Sequence, residues 1–191
     1  MHLKIYLFRH GQSYFNRDKR FTGWKDSRLT PLGIKQAKII GNKLKNKKID
    51  IAFQTRLSRS KDTLKEVLIF HPECKKIITD DRMLERNYGK LNGHSHSLII
   101  KEYGKKQFDL WHRSFDSPPP KGESLKMVEK RVNAFLKDLL KLMKKEKVNV
   151  AISAHGNSMR PFRKYFEKLN NKQMMALENP WDDYFEYDVK V

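Results

Sequence analysis

The sequence predicts an α/β fold, and three observations predict it. Apolar, β-branched stretches alternate along the 191 residues with segments whose apolar positions recur at helical spacing. Two of those stretches, Leu3 to Phe8 and Val148 to Ala154, read as buried strands. Each runs directly into a His-Gly pair, His10-Gly11 and His155-Gly156. In an open α/β sheet, ligands bind just outside the carboxyl ends of the strands, so both histidines fall where a site belongs. The glycine after each lets the backbone turn sharply and approach a ligand closely.

The remaining elements follow in order. A polar, aromatic loop through Trp24 leads to Thr30-Pro31-Leu32-Gly33, a helix start with Thr30 as cap and Pro31 at the first helical position. Ile34, Ala37, Ile40 and Leu44 supply that helix's apolar face. Ile49 to Gln54 predicts a short strand, and Thr55 to Ser60 leads into a second helix. Lys76 to Thr79 predicts an edge strand, and His94 to Phe115 short helices crossing the top of the sheet. Ser117 to Gly122, with its three prolines, is a loop rather than a domain linker, and a long helix from about Ser124 to Lys144 follows. A helix from Met159 to Leu169 and a strand from Tyr184 to Val189 complete one domain spanning residues 1–191.

Bulk properties narrow the class. The chain is long enough for a sizeable core. Its single cysteine, Cys74, rules out an internal disulfide framework and suits a reducing, cytoplasmic setting, with Cys74 a bystander thiol. No secretion signal opens the chain and no apolar run reaches membrane-spanning length. The net charge of +19 raises the question of nucleic acid. Runs such as Lys43 to Lys48 and Lys141 to Lys145 fall on helix ends and outer faces, and no nucleic-acid-binding motif accompanies them. Specific nucleic-acid function is therefore not expected. A positive field also draws in small phosphorylated anions.

Five ordered blocks then carry a resemblance. They are Arg9-His10-Gly11-Gln12-Ser13; Asn16; Arg20-Phe21-Thr22-Gly23-Trp24; Leu84 to Gly93; and His155 to Arg160. The first resembles the signature of the histidine phosphatase superfamily. Together, spread over nearly the whole chain, they resemble its 2,3-bisphosphoglycerate-dependent phosphoglycerate mutases of glycolysis and gluconeogenesis. The resemblance implies a three-layer α/β/α fold with a mostly parallel central sheet. It also implies 2,3-bisphosphoglycerate as primer, a small phosphoglycerate substrate, no metal and a monomer or homodimer.

The residues suit that chemistry. A phosphate monoester dianion repels anionic nucleophiles, so a neutral imidazole is a sensible attacking group, and His10 is the expected nucleophile. Charge building on the equatorial oxygens calls for fixed cationic donors. Arg9 and Arg59 supply two planar forks and His155, if protonated, a third positive donor. No Walker A loop or carboxylate pair for Mg²⁺ is present, so these groups stand in for a metal. The resemblance makes Glu85 the general acid and base, a role that spacing alone would not assign. It places Gly11, Gln12, Ser13, Asn16, Thr22, Gly23, Arg86, Asn87, Tyr88 and Arg113 around the substrate. Gly156 and Asn157 would offer backbone N–H groups at a helix start. Phe21, Trp24 and Trp111 read as packing around the site.

The departures from the mutase pattern fall on substrate-binding positions. His96 stands where the pattern has lysine, and His112-Arg113 where it has two arginines. Histidine is shorter and only partly charged near neutral pH, so each change weakens a positive contact. A short triproline loop replaces the usual insertion, and the chain ends at Val191 without the mobile tail that covers the site in many mutases. Three readings result: a mutase, a metal-independent phosphatase using the same residues, and a basic nucleic-acid-associated protein with a vestigial site. The joint presence of Arg9, His10, Arg59, Glu85 and His155 argues against the third.

Overall fold

Alternation along the strands decides the layering. In the computed structural model, which describes residues 2–190, β1 (His2–Arg9) points Leu3, Ile5 and Leu7 to one face of the sheet and Tyr6 and Phe8 to the other. The first set packs with Val150, Ile152, Val128, Val132 and Phe162. The second packs with Ile40, Leu44, Leu64 and Val67. A strand that is apolar on both faces must be covered on both, and the three-layer α/β/α arrangement results.

The other strands are β2 (Ile51–Gln54), β3 (Lys76–Thr79), β4 (Val150–Ala154) and β5 (Tyr184–Lys190), in the order β3-β2-β4-β1-β5. Pairings are parallel except that of β5, which runs antiparallel to β1 along the sheet edge. Helices α2 (Pro31–Leu44) and α3 (Ser58–Leu68) cover one face, and α6 (Leu125–Glu146) and α7 (Gly156–Glu167) the other. The remaining helices are α1 (Tyr14–Arg17), α4 (His96–Tyr103), α5 (Lys105–Arg113) and α8 (Asn171–Met175). A third cluster of Phe21, Tyr88, Leu91, Ile99 and Phe108 ties α4 and α5 to the loops around the site.

Thr30 caps α2 as expected, its hydroxyl accepting from the Gly33 N–H at 3.0 Å. Ser124 caps α6 in the same way. Other boundaries differ. Strands β2 and β4 start at Ile51 and Val150 because Asp50 and Asn149 tie off the strand ends: the Asp50 carboxylate accepts from Asn149 N at 2.8 Å, and the Asn149 side chain from Lys4 N at 2.9 Å. Helix α7 begins at Gly156 rather than Met159. Pro161 lies inside it, where its missing N–H removes one intrahelical bond without ending the helix. Helices α1 and α8 were not anticipated, since neither is long enough to display a helical period. Val191, the expected chain end, lies outside the described residues. No described helix is long and apolar enough to cross a membrane.

Candidate active site

Strand register brings the two His-Gly pairs together. In the parallel β1–β4 pairing, Arg9 lies opposite Ala154, so the next residues on each strand are His10 and His155. His10 N donates to the Ala154 carbonyl at 3.0 Å, and the two imidazole rings lie 5.0 Å apart. Both are buried, at 1% and 0% exposure. His10 Nδ1 lies 2.6 Å from the Gly11 carbonyl, which can only accept. Nδ1 therefore carries the proton and Nε2 the free lone pair. Burial, and then the charges of Arg59 and Arg9, hold the His10 pKa well below its ordinary value. A neutral imidazole with a fixed tautomer is what nucleophilic attack requires.

His155 makes a second hydrogen bond that chain order hides. Its Nε2 pairs with the Thr55 hydroxyl at 2.8 Å, across 100 positions, from the end of the neighbouring strand β2. Its Nδ1 is buried with no protein partner. Burial and the Arg59 charge hold its pKa well below the ordinary value as well. The expected third positive donor is thus a neutral ring here, able to donate one N–H but not a full charge.

The two arginines are aimed by backbone carbonyls. Arg59, with 0% exposure, donates from Nη2 to Gly23 at 2.8 Å and from Nη1 to Lys25 at 3.0 Å, leaving Nε unpartnered. Burial lowers its pKa to about 10, so it remains charged at neutral pH. Gly23 presents its carbonyl from φ +48°, where a Cβ would also strike the Asn92 side chain. Arg9 donates from Nη1 to the Asn179 carbonyl at 3.2 Å and stacks 4.6 Å from the Trp181 ring centroid, and its Nε is likewise buried and free. Glu85 Oε1 accepts two backbone N–H groups, from Arg86 at 2.8 Å and Asn157 at 3.1 Å. Those bonds fix one carboxylate oxygen and leave Oε2 without a hydrogen bond among the described residues.

A cleft of about 520 Å³ opens over this cluster. Arg9, Glu85, Gly156 and Asn157 form its inner end, and Asn16, Thr22, Tyr88, His96, His112 and Arg113 line its walls. The side chains of His10, Arg59 and His155 are closed over behind that inner end. Six other expected contacts do not line it. Gly11 is pressed against Gly33, whose carbonyl oxygen would lie 2.1 Å from an added Cβ, so its close approach is to the first turn of α2 and not to a ligand. Gln12 bonds Thr30, and Ser13 caps α1. Gly23 serves Arg59. Arg86 points away, donating to the carbonyls of Glu123, His112 and Ser117, and Asn87 closes a turn with Gly89 and Asn92.

Residues 5–182 match the profile described as Histidine phosphatase superfamily (branch 1). The chain belongs to the histidine phosphatase superfamily. A 2,3-bisphosphoglycerate-dependent phosphoglycerate mutase of Parvibaculum lavamentivorans is 39% identical over 178 residues, covering 91% of this chain and 84% of that protein. Among solved structures, the alpha-ribazole phosphatase from Shigella flexneri superposes with a TM-score of 0.85 at 19% identity, over 98% of this chain and 91% of that one. The phosphoglycerate mutase from Bacillus anthracis gives a TM-score of 0.76 at 21% identity, over 98% and 92%. At those identities the two structures speak for the fold alone.

Within this superfamily member the cleft has a wall that sequence reasoning missed. Residues 175–179, from the last residue of α8 onward, line it with Lys172, Arg160 and Arg20. The same cleft is lined by the His96 and His112 rings, which stand 5.1 Å apart against Phe21 and Phe108. Burial, then the His96 and Arg113 charges, lower the His112 pKa to about 4, and burial lowers that of His96. The expected weakened positive contacts are therefore neutral rings at neutral pH.

A stability consequence follows from His112. Its folded-state pKa lies below the unfolded value near 6.5, so the unfolded chain binds its proton first as pH falls. The stabilisation is complete above about pH 6.5 and is lost progressively toward pH 4, amounting to about 3 kcal/mol. His112→Phe, which keeps a ring in the aromatic cluster, is expected to flatten that part of the pH dependence. Urea unfolding midpoints from pH 7 to pH 4 check this; parallel curves for the two proteins would refute it.

Proposed function

We propose that this protein is a 2,3-bisphosphoglycerate-dependent phosphoglycerate mutase that moves a phosphoryl group between the 2- and 3-hydroxyls of glycerate through His10. The observation that carries the reading is the 2.6 Å bond from His10 Nδ1 to the Gly11 carbonyl, because it leaves Nε2 with a free lone pair on a neutral ring that feels the charges of Arg59 and Arg9. The choice of glycerate rests on the relatives at 39% identity bearing that name.

The residues present fit a bisphosphorylated primer. Arg9 Nε, Arg59 Nε and His155 Nδ1 are buried donors without protein partners beside His10, and Arg113, Arg160 and Lys172 add positive charge to the cleft lining. When bound, 2,3-bisphosphoglycerate supplies the phosphoryl group that primes His10. In the transfer itself the Nε2 lone pair forms the N–P bond as the ester P–O bond breaks. Arg9 and Arg59 receive the charge that develops on the equatorial oxygens. With the Thr55 hydroxyl donating to His155 Nε2, the His155 Nδ1–H donates to the same group. Glu85 Oε2 gives its proton to the leaving oxygen and takes one from the attacking hydroxyl on the return.

One observation favours the alternative, a metal-independent phosphatase: His96 and His112 are neutral where the mutase pattern has cations, so less charge holds the glycerate while His10 carries its phosphoryl group. The test follows 3-phosphoglycerate with EDTA and catalytic 2,3-bisphosphoglycerate, measuring 2-phosphoglycerate and inorganic phosphate together. Cofactor-stimulated 2-phosphoglycerate with little phosphate release is the expected result, at a rate EDTA leaves unchanged. Phosphate release without isomerisation would make the protein a phosphatase, and loss of activity on chelation would require a metal.

A further inference from the structure

The cleft is lined by five cations, and they are not equivalent. Arg9 belongs to the His10 end. Arg20 and Arg160 each donate to a backbone carbonyl, those of Gly93 and Leu177. That leaves Arg113 on α5, which the mutase resemblance anticipates, and Lys172 on α8, which it does not. Lys172 is the one lysine lining the cleft, and its ammonium makes no hydrogen bond or ion pair among the described residues, its carbonyl alone accepting from Ala176 N. Its neighbour Lys164 illustrates the difference, being held by Glu129 and Asn171 at 2.5 and 2.6 Å.

The backbone that carries Lys172 is held firmly. Asn170 caps α8, accepting from Gln173 N at 2.9 Å, while the Gln173 side chain accepts from Asn170 N at 2.9 Å. Met174 on the same short helix is fully buried. Beyond it, the carbonyls of Leu177, Glu178 and Asn179 accept from Arg160, Arg163 and Arg9, and the Asn179 amide donates to the Gly156 carbonyl. The arm that positions Lys172 is thereby fastened to the same helix start and the same arginine that serve the phosphoryl site. Glu178 is the carboxylate on this rim, and no ion pair joins it to Lys172.

We propose that Lys172 is a specificity-determining residue that binds the anionic group of the substrate remote from His10, replacing from α8 the charge that His96 and His112 do not supply from α4 and α5. The proposal rests on the phosphoglycerate reading, which supplies a substrate with a second anionic group. An exposed flexible ammonium suits this role, since it adds attraction for a dianion or carboxylate without constraining the reacting end.

The test compares wild type, Lys172→Met and Lys172→Arg with two probes, 2,3-bisphosphoglycerate and orthovanadate, by calorimetry, together with steady-state kinetics on 3-phosphoglycerate. Lys172→Met is expected to weaken 2,3-bisphosphoglycerate and raise KM about fivefold, the upper end for a solvent-exposed ion pair. The loss should fall on KM rather than kcat, orthovanadate affinity should be unchanged, and Lys172→Arg should recover most of the loss. Equal weakening of both probes, or of neither, would overturn the proposal. Should wild type fail to isomerise 3-phosphoglycerate, the functional reading falls, and the two binding constants still decide whether Lys172 recognises the distal anion.

Discussion

His10→Ala is expected to abolish isomerisation and phosphate release together, by on the order of 10⁴-fold or more, with the fold intact. The size of the effect follows from the geometry. Only Nε2 of this ring combines a fixed lone pair with two adjacent guanidinium groups, and its neighbour His155 has one nitrogen engaged by Thr55. The fold should persist because His10 joins the sheet through its backbone, donating to the Ala154 carbonyl, a bond that alanine retains. The buried imidazole is already neutral, so its removal strands no charge. Labelled 2,3-bisphosphoglycerate should mark the wild type and not the variant, and circular dichroism should superpose. Turnover by the variant comparable to wild type would overturn the mechanism at its root.

What could be read from the sequence was what lies within one strand and the turn after it. The two apolar strands and their His-Gly exits are local, and parallel register alone then brings His10 and His155 side by side. The Thr55–His155 bond was out of reach, because it depends on which strand β4 chooses as its second neighbour. Arg86 shows the limit of carrying a role onto an irregular loop. Spacing puts the residue beside Glu85, but three backbone carbonyls of the 112–123 segment turn its guanidinium away from the cleft. The charge of His96 and His112 was equally hidden, since it is set by the aromatic side chains packed around them and not by their own identity. Lys172 resembles every other lysine of a lysine-rich chain until α8 is placed against the site.

Glu85→Gln should give the second large loss, about 10²- to 10⁴-fold with 3-phosphoglycerate, and it separates proton transfer from shape. Glutamine keeps the carboxylate's outline. Its amide oxygen can go on accepting from the Arg86 and Asn157 backbone N–H groups, as Oε1 does. The backbone carbonyl of residue 85 stays fixed by Trp24 Nε1 at 2.8 Å and Arg131 Nη2 at 3.0 Å. What changes is the other terminal atom, an NH₂ that can hydrogen-bond but cannot hand over a proton. An alkoxide leaving from glycerate needs that proton, whereas 4-nitrophenolate is stable without it. The variant should therefore retain its burst of nitrophenolate from 4-nitrophenyl phosphate to within about tenfold, while its steady-state turnover falls because the second step still needs a base. An equal loss in the burst with both leaving groups would mean that Glu85 acts through its charge or its hold on the Asn157 amide, and that another group moves the proton.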